Sequence, residues 1–319
     1  MARNTKLQTE THHDPRVHVD AAQLRRLGPA SRALSLLPRQ PARSILNGRH
    51  ASRLRGRGLN FEELRTYLPG DDVRSIDWKV TARTGEPHVR VYTEERDHPA
   101  MLLVDQRMSM FFGSQVYMKS VVAAEAAAIA AHRVLAQGDR VGGIVFGDTG
   151  LAEHNPQRRP AALHRLLSSI ADANGLLHAG KQDAEMIALN DVLRAARRIA
   201  RTNTLVAVFS DFDGLDGASE GLLRDLARAN DLILFHVADA AGSAALPDNL
   251  RMTVSDGTMQ AELDTSQTET RARLDVAIGA RLNDLFTWSR KYAFPVVPLR
   301  TETAALDQMM RLFGHAGAP

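Results

Sequence analysis

The chain has 319 residues, of which 44% are hydrophobic and 24% charged, and this supports one large globular domain or two modest ones while excluding wholesale disorder and fibrous repeats. It contains no cysteine, so disulfide scaffolds, thiol nucleophiles, iron–sulfur clusters and thiolate zinc sites are excluded. The net charge of +3 is uneven: residues 1–98 hold 18 Lys/Arg against 12 Asp/Glu, and the remainder holds 22 against 25.

Residues 1–44 read as a basic, proline-punctuated tail, with Pro29, Pro38 and Pro41 around one short helical stretch near Ser31–Leu37. Between Ala21 and Phe61 stand nine arginines and no acid: Arg25, Arg26, Arg32, Arg39, Arg43, Arg49, Arg53, Arg55 and Arg57. Such a run suits an acidic partner or a phosphate backbone, and equally a solvated face or a protein-docking arm. It has no interleaved aromatics to stack bases and no nucleic-acid reader motif, so nucleic-acid binding is the alternative rather than the main reading.

Residues 45–98 form a dense polar segment, expected to pack on the sheet domain after it. It mixes a short amphipathic piece, the turn Pro69-Gly70-Asp71-Asp72 and an alternating run, His88–Thr93, that reads as a strand. Arg65, Asp71, Asp72, Arg74, Asp77, Lys79 and Arg83 have two readings: a charged surface for a partner, or a structural framework. In the structural reading, Asp71 caps the next turn, Arg74 pairs with Asp77, and Tyr67 and Trp78 anchor the segment on the sheet domain.

From residue 99 to 319 the pattern becomes regular α/β. Met101–Asp105 is a branched apolar run ending in a carboxylate, as expected of a buried parallel strand. An Ala-rich helix comes next over Val116–Gln137, stopped by Gly138, then a strand at Arg140–Gly147 and an edge partner near Gly150–Glu153. The pair Gly142-Gly143 reads as close packing rather than nucleotide binding. Helices are expected at Arg159–Ala173 and Ala184–Ala200, a strand at Thr204–Asp211, a helix at Ser219–Ala229 and a strand at Asp231–Val237. Asp256-Gly257 is a hairpin dipeptide. A helix over Thr270–Tyr292, the strand Pro295–Arg300 and a helix at Thr303–Phe313 complete the chain. Strands alternating with helices imply right-handed crossovers and a doubly wound, mostly parallel sheet, whose ligands bind beyond the strand C-termini. That rule selects Asp105 with the loop after it, and Ser210-Asp211-Phe212-Asp213-Gly214.

Two strand-end aspartates and the Ser109 hydroxyl are oxygen ligands suited to magnesium, although strand-end aspartates also cap helices. The pattern Asp-x-Ser-x-Ser with a later Ser-Asp resembles the von Willebrand factor A domain, whose adhesion site holds magnesium through those residues and a threonine from a middle loop. More specifically, GRGLNFEELRTYLPGDDVRSIDWKVTAR running into LLVDQRMSMFFG resembles the bacterial domain-of-unknown-function family numbered fifty-eight. The resemblance covers about residues 45–315. It implies an A-type domain and an association with MoxR-type AAA+ ATPases, whose genes commonly lie beside those of the family. This chain departs from the metal pattern: Arg107 replaces the first serine, and the middle loop, Gly180–Met186, lacks the threonine. A guanidinium ~4 Å from a divalent ion repels it by roughly 8 kcal/mol at an effective dielectric of about 20. The expectation is therefore that Arg107 substitutes for the metal by forking onto Asp105 or Asp211.

No phosphate-binding loop, HExxH pair or GxSxG elbow is present. The sequence reading is a non-enzymatic adaptor acting with a MoxR-type ATPase in assembling or maturing a complex. Its degenerate metal site comprises Asp105, Arg107, Ser109, Asp211 and Asp213, and no cofactor is expected. Should magnesium bind weakly, Asp105, Ser109 and Asp211 would hold it. The alternatives are a metal-dependent hydrolase using Asp105, Asp211 and Asp213, or a nucleic-acid binder. No run of 18 apolar residues exists, because Glu125 interrupts Val121–Ala131, and the N-terminus lacks a signal-peptide apolar region, so a cytoplasmic location is expected.

Overall fold

A computed structural model describes residues 14–34, 59–69, 71–94, 98–178, 187–239, 251–255, 260–264 and 282–314. The chain divides into two compact units, residues 37–97 and the remainder. In the smaller unit β1 (Leu59–Thr66) pairs antiparallel with β2 (His88–Glu94). Between them lie a 3₁₀ turn, Val73–Ser75, and the helix α3 (Trp78–Thr84). The ends of α3 are set by local chemistry: the Asp77 carboxylate accepts from the N–H groups of Lys79 and Val80, and Gly85 closes the helix at φ 81°.

The larger unit is built on a six-stranded sheet. Its strands are β3 (Ala100–Asp105), β4 (Val141–Phe146), β5 (Leu151–Gln157), β6 (Leu205–Ser210), β7 (Asp231–Ala238) and β10 (Val296–Arg300). A separate antiparallel pair is formed by β8 (Arg251–Ser255) and β9 (Gln260–Asp264). The sheet order is β10-β7-β6-β3-β4-β5, parallel throughout except for β5. Numbered among themselves, these strands run 6-5-4-1-2-3, the doubly wound order whose direction of winding reverses between the first and fourth strands. Here those are β3 and β6, so the switch point lies at the ends carrying Asp105 and Asp211.

Each of the central strands is apolar on both faces because both faces are covered. Along β3, Ala100, Leu102 and Val104 enter one core layer, and Met101 and Leu103 enter the other. The first layer is filled by α4 (Lys119–Ala136), α5 (Pro160–Gly175) and α9 (Ala305–Phe313). Alanines let α4 lie close to the strands, and Ala123, Ala124, Ala126, Ala127, Ala128 and Ala131 are fully buried. The second layer is filled by α6 (Leu189–Ile199), α7 (Gly217–Ala229) and α8, a helix over 282–292 that contributes Leu285 and Trp288. Gly142 and Gly143 serve packing: a Cβ on Gly142 would lie 2.3 Å from the His154 carbonyl, and one on Gly143 2.6 Å from that of Leu102.

Several expectations need correction. Residues 14–34 are no tail: α1 (Ala21–Arg26) and α2 (Gly28–Ser31) belong to the larger unit, with Leu24 and Leu34 fully buried in its first layer. The described helices lie before most of the stretch expected at Ser31–Leu37, whose residues 35–37 are outside the described residues, and the Asp20 side chain caps α1 by accepting from Gln23 N–H. The edge partner β5 is longer than expected and antiparallel. In the smaller unit it is Asp72, not Asp71, that caps the 3₁₀ turn, by accepting from Arg74 N–H. Asp71 instead forms a two-pronged pair with Arg65, at 2.7 and 2.8 Å, and accepts from Leu68 N–H. The expected Arg74–Asp77 pair is not formed, because Asp77 turns back to cap its own helix. Trp78, expected as an anchor, is 69% exposed. Arg39, Arg43, Arg49, Arg53, Arg55, Arg57, the dipeptide Asp256-Gly257 and Gly180–Met186 lie outside the described residues.

Candidate binding rim

The strand ends of β3 and β6 bring Asp105, Arg107, Ser109, Asp211 and Asp213 together at one edge of the sheet. Asp105 is fully buried, and its carboxylate is surrounded by donors. Arg107 Nε donates to Oδ1 at 3.0 Å and Arg107 Nη2 to Oδ2 at 2.8 Å, a bidentate fork, while Arg107 N–H donates to Oδ1 at 3.0 Å. The Ser210 hydroxyl, delivered by β6, donates to Oδ2 at 2.6 Å. Arg107 lies over the Phe146 ring at 5.5 Å and donates through Nη2 to the Asp213 carbonyl at 3.0 Å. Its guanidinium thus ties the β3 loop to the β6 loop with only 5% of the side chain exposed.

The second acid has its own cation. Lys119, the first residue of α4, places Nζ 2.6 Å from Asp211 Oδ2. Asp213 N–H donates to Asp211 Oδ1 at 3.0 Å, and the Ser109 hydroxyl approaches the same oxygen at 3.4 Å. The turn that makes this possible is strained: Phe212 adopts φ 58°, costly for a bulky side chain, yet is fully buried and held by its N–H donating to Ser210 Oγ at 2.8 Å. Around the rim, Asp148 at the end of β4 accepts from Met108 N–H, and Gln106 donates to the Ser120 carbonyl while accepting from Asn174.

Burial pushes the Asp105 carboxyl above its ordinary value, with the charge and hydrogen bonds of Arg107 opposing that rise. Burial also acts on Asp211, but there the adjacent Lys119 charge and hydrogen bond, with Asp213 N–H, outweigh it and hold the carboxyl below its ordinary value. Arg107 is costly to bury, yet the carboxylates of Asp105 and Asp211 keep it charged.

This donor set does not fit a divalent cation. Both oxygens of Asp105 are engaged by Arg107, with Ser210 on one of them, and both oxygens of Asp211 are engaged by Lys119 and Asp213 N–H. A magnesium ion would have to displace the buried Arg107 and the partly buried Lys119 from the acids they neutralise. Among the described residues, no three His, Asp or Glu side chains group as a metal site. The sequence reading singled out Arg107 but missed Lys119, which is 92 residues from its partner Asp211 and carries no local signal. It also missed Asp148, whose position at the end of an apolar strand obeys the same rule that selected Asp105.

The family described as "Protein of unknown function DUF58" matches residues 63–283. An uncharacterized protein of Mycobacterium tuberculosis strain H37Rv is 29% identical over 290 residues, covering 90% of this chain and 88% of that one, and an uncharacterized protein of Mycobacterium bovis matches equally. Among solved structures, the chain is similar to the conserved hypothetical protein BatB from Bacteroides thetaiotaomicron, at 12% identity and a TM-score of 0.37 over 67% of this chain and 98% of that one. It is also similar to the SpRpn10 VWA domain, at 10% identity and a TM-score of 0.37 over 70% of this chain and 100% of that domain.

Proposed function

The chain belongs to the DUF58 family of proteins of unknown function, and from that premise we propose that it is a non-enzymatic protein-interaction adaptor that docks a partner at the β3/β6 rim without a metal. The observation that carries this reading is the pair of buried cation–aspartate contacts, Arg107 on Asp105 and Lys119 on Asp211, spanning the switch point of the sheet. Where an adhesion site of von Willebrand factor A type would hold magnesium, the chain supplies its own positive charge. The cations fix the two loops before a partner arrives, so a partner meets a preorganised rim and little ordering cost is added on binding. Ser109 and Asp213 are only half-buried and face that partner as polar groups. Because the acids are already engaged, the hydrolase alternative has no free carboxylate pair with which to activate water. The resemblance drawn from the signature segment adds a MoxR-type AAA+ ATPase and its client complex as the partners of this adaptor.

Affinity capture from cell extract tests the reading, using the intact chain beside Asp213→Arg and Asp105→Ala, each checked for native circular dichroism. Captures are run with and without magnesium and ATP. The expected result is a MoxR-type ATPase or its client recovered by the unaltered chain, independently of magnesium when ATP is omitted, and lost with Asp213→Arg. Recovery of identical partners by all three proteins removes the rim as the docking site.

A further inference from the structure

Between Arg65 and Arg83 the smaller unit carries seven charged residues, and the structure sorts them by role. Arg65 and Asp71 neutralise each other. Asp72 and Asp77 are consumed as caps. Arg74, Lys79 and Arg83 remain: all three are exposed, and none forms an ion pair or side-chain hydrogen bond with a described residue. On α3 successive residues are 100° apart, so Trp78, Ala82, Lys79 and Arg83 occupy one contiguous arc, and all four are exposed. The turn leading into the helix adds Val73, 59% exposed, and Arg74, and the preceding loop adds Leu68, also 59% exposed. Four of the described large hydrophobic side chains that stand exposed, Leu64, Leu68, Val73 and Trp78, therefore lie between residues 64 and 78. An exposed tryptophan with exposed aliphatic side chains and unpaired cations close to it in the chain has the composition of an interface core.

We propose that the face formed by Leu68, Val73, Arg74, Trp78, Lys79 and Arg83 is a second docking surface, and that its occupant is an acidic protein segment that places an apolar side chain against Trp78. The charge selects an acidic partner, since three cations face outward while the nearby acids Asp71, Asp72 and Asp77 are already used by Arg65 or by backbone N–H groups. The apolar part selects protein. A nucleic acid gains little from Val73 and Leu68 and needs more than one aromatic ring for stacked bases. An anionic membrane is held by clusters of about four to eight Lys/Arg, and this face offers three cations. The surface lies in a different compact unit from the rim and does not depend on the reading of that rim.

The test selects random 16-residue peptides displayed on phage against the immobilised full-length chain, then measures the enriched peptides by fluorescence anisotropy. The variants are Trp78→Ala, Trp78→Phe and the triple change Arg74→Glu, Lys79→Glu, Arg83→Glu, with thermal midpoints recorded for each. The expected result is enrichment of peptides rich in Asp and Glu around a large apolar residue. Their affinity should fall at least tenfold with Trp78→Ala and with the triple change, remain with Trp78→Phe, and weaken as salt rises. Neutral or basic consensus peptides, no enrichment, or equal binding by the variants overturns the proposal. Vesicles containing phosphatidylserine and a 20-base-pair DNA duplex are run alongside. Binding of either that is tighter than that of the peptides and lost with the same variants also overturns it.

Discussion

At the strand-end rim, Arg107 and the partly buried Lys119 are held against buried aspartates, whereas in the smaller unit Arg74, Lys79 and Arg83 are exposed with no ion pair to a described acid. The same side-chain chemistry is thus spent in one region on building the molecule and left available in the other. The difference predicts where a substitution costs stability and where it costs only binding. Removing a cation from a buried pair strands its aspartate in a low dielectric, while removing an exposed cation leaves nothing uncompensated.

The largest effects belong to the rim. Arg107→Leu leaves Asp105 buried without its fork, and Lys119→Met does the same to Asp211; each should destabilise folding by about 3–5 kcal/mol in a denaturant titration. Pairing Lys119→Met with Asp211→Asn should recover much of that loss, since the stranded charge disappears with its partner. A rim variant that costs no more than the surface variants breaks the comparison.

Ser210→Ala comes next. It removes the hydroxyl that donates to Asp105 and accepts from Phe212 N–H, leaving a buried N–H at a strained residue, and should cost about 1–3 kcal/mol.

The pH dependence is smaller and separates Asp211 from His132. The folded-state carboxyl of Asp211 lies below its ordinary value, so its contribution is present above about pH 3.9 and is lost as pH falls through the lower folded value. His132, on α4, is half-buried beneath α1, where Nε2 meets the Leu24 carbonyl, and burial holds it below its ordinary value. Its neutral form is the folded form, so stability present above about pH 6.5 declines as pH drops towards the lower folded value. His132→Gln should flatten the stability curve in that window, measured by denaturant midpoints at successive pH values, while leaving the more acidic loss in place.

The smallest effects belong to the exposed face. Arg65→Ala breaks a partly exposed pair with Asp71 and should cost no more than about 1 kcal/mol. Trp78→Ala, with its indole already in water, should change stability by no more than about 0.5 kcal/mol.

What was legible in the sequence divides along the same line as these effects. β3, β4, β6 and β7 could be read because burial on both faces demands uninterrupted apolar runs, and Asp105 and Ser210-Asp211 could be read because polar groups ending such runs must emerge at the strand C-termini. The fork of Arg107 was legible as a stand-in for a metal on Asp105 or Asp211, and the folded chain selects Asp105. Lys119 was not, because its partner Asp211 is placed by the crossing of α4 over the sheet and not by any spacing in the chain. The docking of α1 was also hidden, since a six-residue helix with one buried leucine has too little periodicity to announce a core face. The segment from Arg65 to Arg83 was read as charged throughout, but which charges are consumed as caps and which remain outward depends on backbone geometry that composition does not encode.

The most direct test of the built-in cations is a calorimetric titration of the intact chain with magnesium at neutral pH, beside Arg107→Ser. The account predicts no site in the unaltered chain tighter than on the order of millimolar, because Arg107 and Lys119 already neutralise both acids. A micromolar magnesium site in the unaltered chain, abolished by Asp105→Ala in a protein that still folds, would contradict it.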